Sequence, residues 1–129
     1  MKKILIVDDE EDILEYLTTF FKDNGYEPVT ARDGKEALDL MREEKPDLVT
    51  LDIIMPRESG VRFYKEVKND EHLKDIPIII VTALTGWGYD PEGFHKFIKS
   101  RKQVPPPEGF MSKPVDTAEL LKLVKQHLS

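Results

Sequence analysis

A chain of 129 residues with no cysteine, carrying 25 acids against 19 lysines and arginines for a formal net charge of -6, has room for one domain and one core. Without cysteine, disulfides and thiolate metal sites are excluded, so a metal must rest on oxygen or imidazole ligands, and oxygen ligands point to magnesium or calcium. The acidic balance argues against a general nucleic-acid binder, and no apolar run approaches the roughly 20 residues of a membrane helix.

Residues 4–7 are a short continuous apolar run, the pattern of a strand covered on both faces, as in parallel sheets. This start imitates a secretion signal only until Asp8, where five acids in a row begin, so the chain is expected to stay in the cytoplasm. After the acids, Ile13, Leu14, Leu17, Phe20 and Phe21 recur at helical spacing as far as Asn24 and Gly25, a C-terminal cap pair. Residues 28–31 read as a second, weaker strand. Residues 33–44 read as a second helix that buries Ala37, Leu38 and Met41 and stops before Pro46. Residues 48–51 are a third strand, mostly apolar and partly β-branched, and Asp52 stands where it runs out. A turn over residues 56–60 follows, with Ser59 as the expected N-cap of a third helix facing the core through Val61, Phe63, Tyr64 and Val67. Residues 77–81 repeat the doubly buried strand pattern and end on Thr82.

Beyond Thr82, Gly86, Trp87 and Gly88 predict a turn, and Asp90 with Pro91 predicts the start of a short fourth helix bearing Phe94, Phe97 and Ile98. Three consecutive prolines within residues 103–108 predict a stiff polyproline spacer. Residues 109–112 form a last short strand, Lys113 and Pro114 follow, and Asp116 with Glu119 makes a capping box for a closing helix with Leu120, Leu121, Val124 and Leu128 inward. Strands alternating with helices in this way imply an α/β domain, doubly wound about a five-stranded parallel sheet with helices on both faces. Its ligand crevice lies at the carboxyl ends of the strands. No internal repeat or linker interrupts the pattern, so residues 1–129 are expected to be one domain with no output domain in this chain.

In that fold Asp8 and Asp9 end the first strand, Asp52 the third, Thr82 the fourth and Lys113 the fifth, all on one rim. Singly, each has an ordinary role: acids favour helix N-termini, and threonine and lysine are common at strand ends and surfaces. Asp52 is harder to dismiss, because a charge beside so apolar a run is costly unless paired. Three carboxylates together repel one another unless a cation intervenes. A divalent ion and Lys113 balance them, and magnesium suits the task because it keeps sites for water or phosphate oxygens. Asp52 can then attack phosphorus in line without a general base, since a carboxylate is already ionised, while Thr82 and Lys113 bind the new phosphoryl oxygens.

With these residues in order, the chain resembles over essentially its whole length the receiver domains of two-component response regulators, and among them the chemotaxis-type single-domain receivers. The acidic pair is Asp8 and Asp9, the acceptor context runs from Asp52 through Ile53 and Met55 to Pro56, and the Thr-Ala and Lys-Pro pairs are Thr82 with Ala83 and Lys113 with Pro114. The resemblance implies the flavodoxin-like strand order 2-1-3-4-5. It also implies Mg2+-dependent phosphotransfer to Asp52 from the phosphohistidine of a sensor histidine kinase or a phosphotransfer protein, or from a small phosphodonor. It implies a metal held by Asp8, Asp9, Asp52 and the backbone carbonyl of Ile54, a cis peptide between Lys113 and Pro114, and a switch made by Thr82 and Phe110. The switch would rearrange the face of the fourth helix, fifth strand and fifth helix toward a downstream protein, with no direct role for nucleic acid or membrane. Such a protein is not an enzyme in the usual sense and catalyses only its own phosphorylation and dephosphorylation.

Two features depart from the family pattern, and two further positions bear on phosphate lifetime. Ser59 stands where an acid is usual before Gly60. Thr82 and Lys113 lie 31 positions apart (113 minus 82), longer than usual, and the excess holds the most basic stretch, Lys96, Lys99, Arg101 and Lys102, which suits either an acidic partner or a solvated helix face. In the family, the residues two beyond the acceptor and two beyond the threonine flank the path of a hydrolytic water; here they are Ile54 and Leu84, both aliphatic, which predicts slow loss of phosphate. Other readings stay open at this level: a phosphorylation-independent binding module, and a small Mg2+-dependent aspartyl phosphatase, although such a phosphatase would want an acid where Ile54 stands. A flavodoxin-type phosphate loop is disfavoured by the acids at residues 8–12, and His72, His95 and His127 are scattered and suggest no site.

Overall fold

The structure is a computed structural model that describes residues 1–83 and 106–128, the side chains of Glu58, Thr82 and Ala83 excepted. Five parallel strands are β1 (Lys3–Val7), β2 (Glu27–Ala31), β3 (Leu48–Leu51), β4 (Ile78–Ala83) and β5 (Gly109–Lys113), in the order β2-β1-β3-β4-β5. The described helices are α1 (Glu11–Asp23), α2 (Gly34–Glu44), α3 (Ser59–Lys68) and α4 (Thr117–Leu128). The helix expected near Asp90, its basic residues, the turn at Gly86, Leu84 and His95 all lie outside the described residues.

Period-two alternation along each strand splits the interior into two cores, one on each face of the sheet. Leu5, Val7, Val49, Leu51, Ile78 and Ile80 face α2 and α3, where Met41, Phe63, Tyr64 and Val67 are buried. Ile4, Ile6, Leu48, Ile79 and Val81 face the other way, onto Leu14, Leu17 and Phe21 of α1 and Leu120 and Val124 of α4. Both faces being covered is why these strands read as continuous apolar runs. Thr50 interrupts β3, and its buried Oγ1 has no partner among the described residues.

Local chemistry sets the helix ends. Asn24 closes α1, Gly25 takes φ +86°, and the Gly25 and Tyr26 N–H groups donate to the carbonyls of Lys22 and Phe21, with the Tyr26 ring edge-on to Phe21. Asp33 caps α2 by accepting from the Glu36 N–H at 2.8 Å, and Asp116 accepts from the Glu119 N–H at 3.1 Å ahead of α4. Ser59 is a correction: a short 3-10 turn (Pro56–Glu58) precedes it, Ser59 itself has helical angles, and its buried hydroxyl caps nothing. Pro56 initiates the turn, so the chain is already winding when it reaches the serine. Pro106 and Pro107 have no regular structure, and Glu108 behind them joins its N–H to the Ile78 carbonyl at 3.0 Å at the foot of β4.

Candidate functional site

The pairings of β1 with β2 and with β3 each run one residue past the strands. The Asp52 N–H donates to the Val7 carbonyl at 2.8 Å, and the Asp8 N–H to the Ala31 carbonyl at 3.1 Å, so two carboxylates stand side by side at the carboxyl edge. Both are buried, Asp8 to 3% and Asp52 to 5% exposure. One oxygen of each is tied locally: Asp8 Oδ1 accepts from the Glu10 N–H at 2.9 Å and Asp52 Oδ1 from the Ile54 N–H at 3.0 Å. These short contacts fix both carboxylates in orientation and leave their Oδ2 atoms to face a common cation.

That cation is Lys113. The register pairs Leu51 with Ile80 and Ile80 with Phe110, so Lys113, at the end of β5, stands two residues beyond the level of Asp52 and reaches back along the crevice. Its Nζ donates to Asp8 Oδ2 at 2.8 Å, Glu10 Oε1 at 3.2 Å and Asp52 Oδ2 at 3.4 Å. Burial works against its charge, but the bond to Asp8, the charges of Asp52 and Asp8 and the bond to Glu10 outweigh it and hold its pKa above the ordinary lysine value. Burial lifts the Asp8 carboxyl above its usual range, against the pull of Lys113 and the Glu10 N–H. One ammonium is too little for the acids around it.

Oxygens of Asp8, Glu10 and Asp52 lie within 4.8 Å of one another. An oxygen-only donor set with excess negative charge fits a hard divalent cation. Glu10 is the member that the sequence reading missed. Its backbone is extended (φ -93°, ψ 116°), so its side chain returns to the side of Asp8 two residues earlier, a period-two relation present in the sequence but hidden among five consecutive acids. Asp9, expected in that group, is exposed and lines a neighbouring groove.

The remaining expected residues are distributed as follows. Thr82 lies in β4 with its backbone paired to Ser112, and its side chain is outside the described set. Ile54 is 37% exposed on the rim. Phe110 is half-buried against the core on the α2 and α3 face, and the Lys113–Pro114 peptide is cis. Gly60 is a constraint that the sequence did not announce: a Cβ there would lie 2.7 Å from the Asp52 carbonyl oxygen and 2.8 Å from that of Ile53, so only glycine lets α3 approach the loop that carries Asp52. No helix among the described residues is long and apolar enough to cross a membrane.

Comparison with known proteins places this geometry in context. Residues 4–125 match the family model described as response regulator receiver domain. The chain is 35% identical over 127 residues to the polar-differentiation response regulator DivK of Brucella anthropi, an alignment that covers 98% of this chain and 96% of that one. Among solved structures, the chemotaxis protein CheY4 of Vibrio cholerae is 32% identical with a TM-score of 0.81 and 99% coverage of both chains. The receiver domain of a histidine kinase from Syntrophus aciditrophicus is 28% identical with a TM-score of 0.82, covering 99% of this chain and 90% of the other.

Proposed function

The chain belongs to the response regulator receiver family of two-component systems, and from that premise we propose that it receives a phosphoryl group on Asp52 and passes the signal to a partner protein. The observation that carries this reading is the single ammonium of Lys113 held at once by Asp8, Glu10 and Asp52. In a structural ion pair one acid suffices. Three acids on one lysine, in a buried crevice at the strand ends, make a site that still lacks positive charge.

Asp8, Asp52 and Glu10 would hold Mg2+, with Asp9 and the carbonyl of Ile54 as the further ligands that the family implies. Bound there, the metal supplies charge neutralisation and a seat for phosphate oxygens. Asp52 then does the covalent work. Its ionised carboxylate oxygen forms the new O–P bond as the N–P bond of a donor phosphohistidine breaks. The bonding pair stays on the imidazole nitrogen, which takes a proton from solvent. The Ile54 N–H steadies the acceptor through the other oxygen, and Lys113 stays beside Oδ2 to bind the transferred group. The donors are a sensor histidine kinase or a phosphotransfer protein, and small phosphodonors serve the same chemistry. Thr82 and Phe110 form the switch toward a downstream protein. The protein acts in the cytoplasm, and its catalysis is confined to its own phosphorylation and dephosphorylation.

The test is intact mass after incubation with acetyl phosphate, with and without Mg2+, beside an Asp52→Ala variant. One added phosphoryl group that needs both the metal and Asp52 is the expected result. A folded protein that forms no adduct and also fails to bind beryllofluoride would turn the reading toward a phosphorylation-independent binding module.

A further inference from the structure

Beside the acceptor site, between the N-terminal ends of α2 and α3, lies an open groove of about 560 Å3, within the size range of small-molecule sites. The two helices meet closely there: a Cβ on Gly34 would fall 2.2 Å from the Ser59 carbonyl oxygen. Leu38, Pro56 and Phe63 give the groove an apolar lining. Its cations are unusual for so acidic a protein. Of the basic residues lining it, Arg32 is engaged by Glu11 at 2.5 Å, whereas Lys35, Arg57 and Arg62 have no ion-pair partner among the described residues. The acids on the same lining are Asp33, already occupied in capping α2, and Asp9 and Glu66. Arg57 also holds φ +59°, ψ 25°, a left-handed conformation that suits glycine or asparagine and strains an arginine. The Ser59 hydroxyl on the lining is buried without a partner among the described residues.

We infer that this groove binds a small organic phosphate of about mononucleotide size, with its apolar body on Leu38, Pro56 and Phe63 and its phosphate between Arg57, Arg62 and Lys35. Volume, apolar lining and free guanidinium groups each ask for a different part of such a ligand: size, a flat apolar portion, and an anion with oxygens for forked donors. The acceptor chemistry uses none of these three cations, although Asp9 on the same lining is one of the metal ligands that the family implies.

The probes are AMP, adenosine and inorganic phosphate, titrated in Mg2+-free buffer into the full 15N-labelled chain. The expected result is saturable movement of the Gly34, Lys35, Ser59 and Arg62 amide resonances by AMP, with a dissociation constant of about 1 mM or tighter, and at least about tenfold weaker binding of adenosine or phosphate alone. An Arg57→Gly, Arg62→Ala variant should bind AMP at least about tenfold more weakly while keeping its denaturation midpoint, since glycine relieves the backbone at position 57. The inference is overturned by any of four outcomes: no saturable shifts, equal binding by the variant, phosphate binding as tightly as AMP, or shifts centred on Asp52 and Lys113.

Discussion

Lys68 offers the sharpest energetic test of the architecture. Its side chain is 2% exposed, and its Nζ donates to both carboxylate oxygens of Glu108, at 2.9 and 3.0 Å. Glu108 is 32% exposed, and its Oε1 also accepts from the Ile78 N–H at 2.7 Å, so one carboxylate clamps the end of α3 to the foot of β4. Removing each partner should therefore cost a different amount. Glu108→Ala strands a buried ammonium, with the Tyr64 ring 5.8 Å away, and leaves the Ile78 N–H without its side-chain acceptor. An uncompensated buried charge costs about 3–5 kcal/mol, a large share of the roughly 5–15 kcal/mol that holds a domain together. At a urea slope of about 2 kcal/mol per molar, the unfolding midpoint should fall by about 1.5–2.5 M. Lys68→Met leaves a carboxylate that water already reaches and that still holds Ile78, so it should cost about 1 kcal/mol or less. Lys68→Met combined with Glu108→Gln should return within about 1 kcal/mol of the parent. Equal losses for the two single variants, or a Glu108→Ala loss under about 1 kcal/mol, would refute the asymmetry drawn from burial.

Three further outcomes follow from the site. Because burial raises the Asp8 pKa in the folded chain, its contribution to stability is fully present below about pH 4 and is lost as pH rises through the higher folded value. Asp8→Asn should thus match the parent near pH 3 and be the more stable of the two at pH 7 without Mg2+, as read by thermal denaturation; a less stable variant at pH 7 contradicts it. Gly60→Ala, which inside a helix normally gains up to about 1 kcal/mol, should instead lose about 1–3 kcal/mol, because the new Cβ meets the Asp52 and Ile53 carbonyls. Its yield of Asp52 phosphorylation should fall with it. Finally, Ile54→Asn with Leu84→Glu should shorten the lifetime of the phosphorylated form, followed by loss of the mass adduct; an unchanged decay rate removes the role assigned to these aliphatic side chains.

Much of this was legible in the sequence, and the reason is burial. A parallel sheet covered on both faces forces apolar runs at residues 4–7, 48–51 and 77–81, and the first charged residue after two of those runs is Asp8 or Asp52. Local signals with short reach also read correctly, such as Asn24 with Gly25 and Asp116 with Glu119. What failed needed distance information. Asp8 to Asp12 look alike in sequence, and only the extended backbone at Glu10 decides which acid turns back to Lys113. Ser59 looked like a cap because capping is the commonest use of serine before a helix, whereas the prior turn at Pro56 had already supplied the entry. Lys68 and Glu108, 40 positions apart, carry no local mark that they meet. The strand order came with the family resemblance, since periodicity alone does not order strands.

The charge arrangement explains why such a site can report a signal. Three carboxylates against one ammonium leave two uncompensated negative charges (three minus one) in a crevice where Asp8 and Asp52 are nearly sealed from water. Folding alone does not favour this, and burial of the Asp8 carboxyl raises its pKa as well. Whatever neutralises the crevice must therefore contribute binding energy that the fold lacks, and a ligand held at 100 times its dissociation constant adds about 2.7 kcal/mol to the bound form. A population shift needs a differential of that size between two states. Lys113 links this crevice to β5, whose Phe110 stands three residues earlier on the same strand, half-buried. The group that feels the charge and the aromatic assigned to the switch are thus on one strand, and a change at Asp52 would reach Phe110 through the Lys113 ion pair and then along β5.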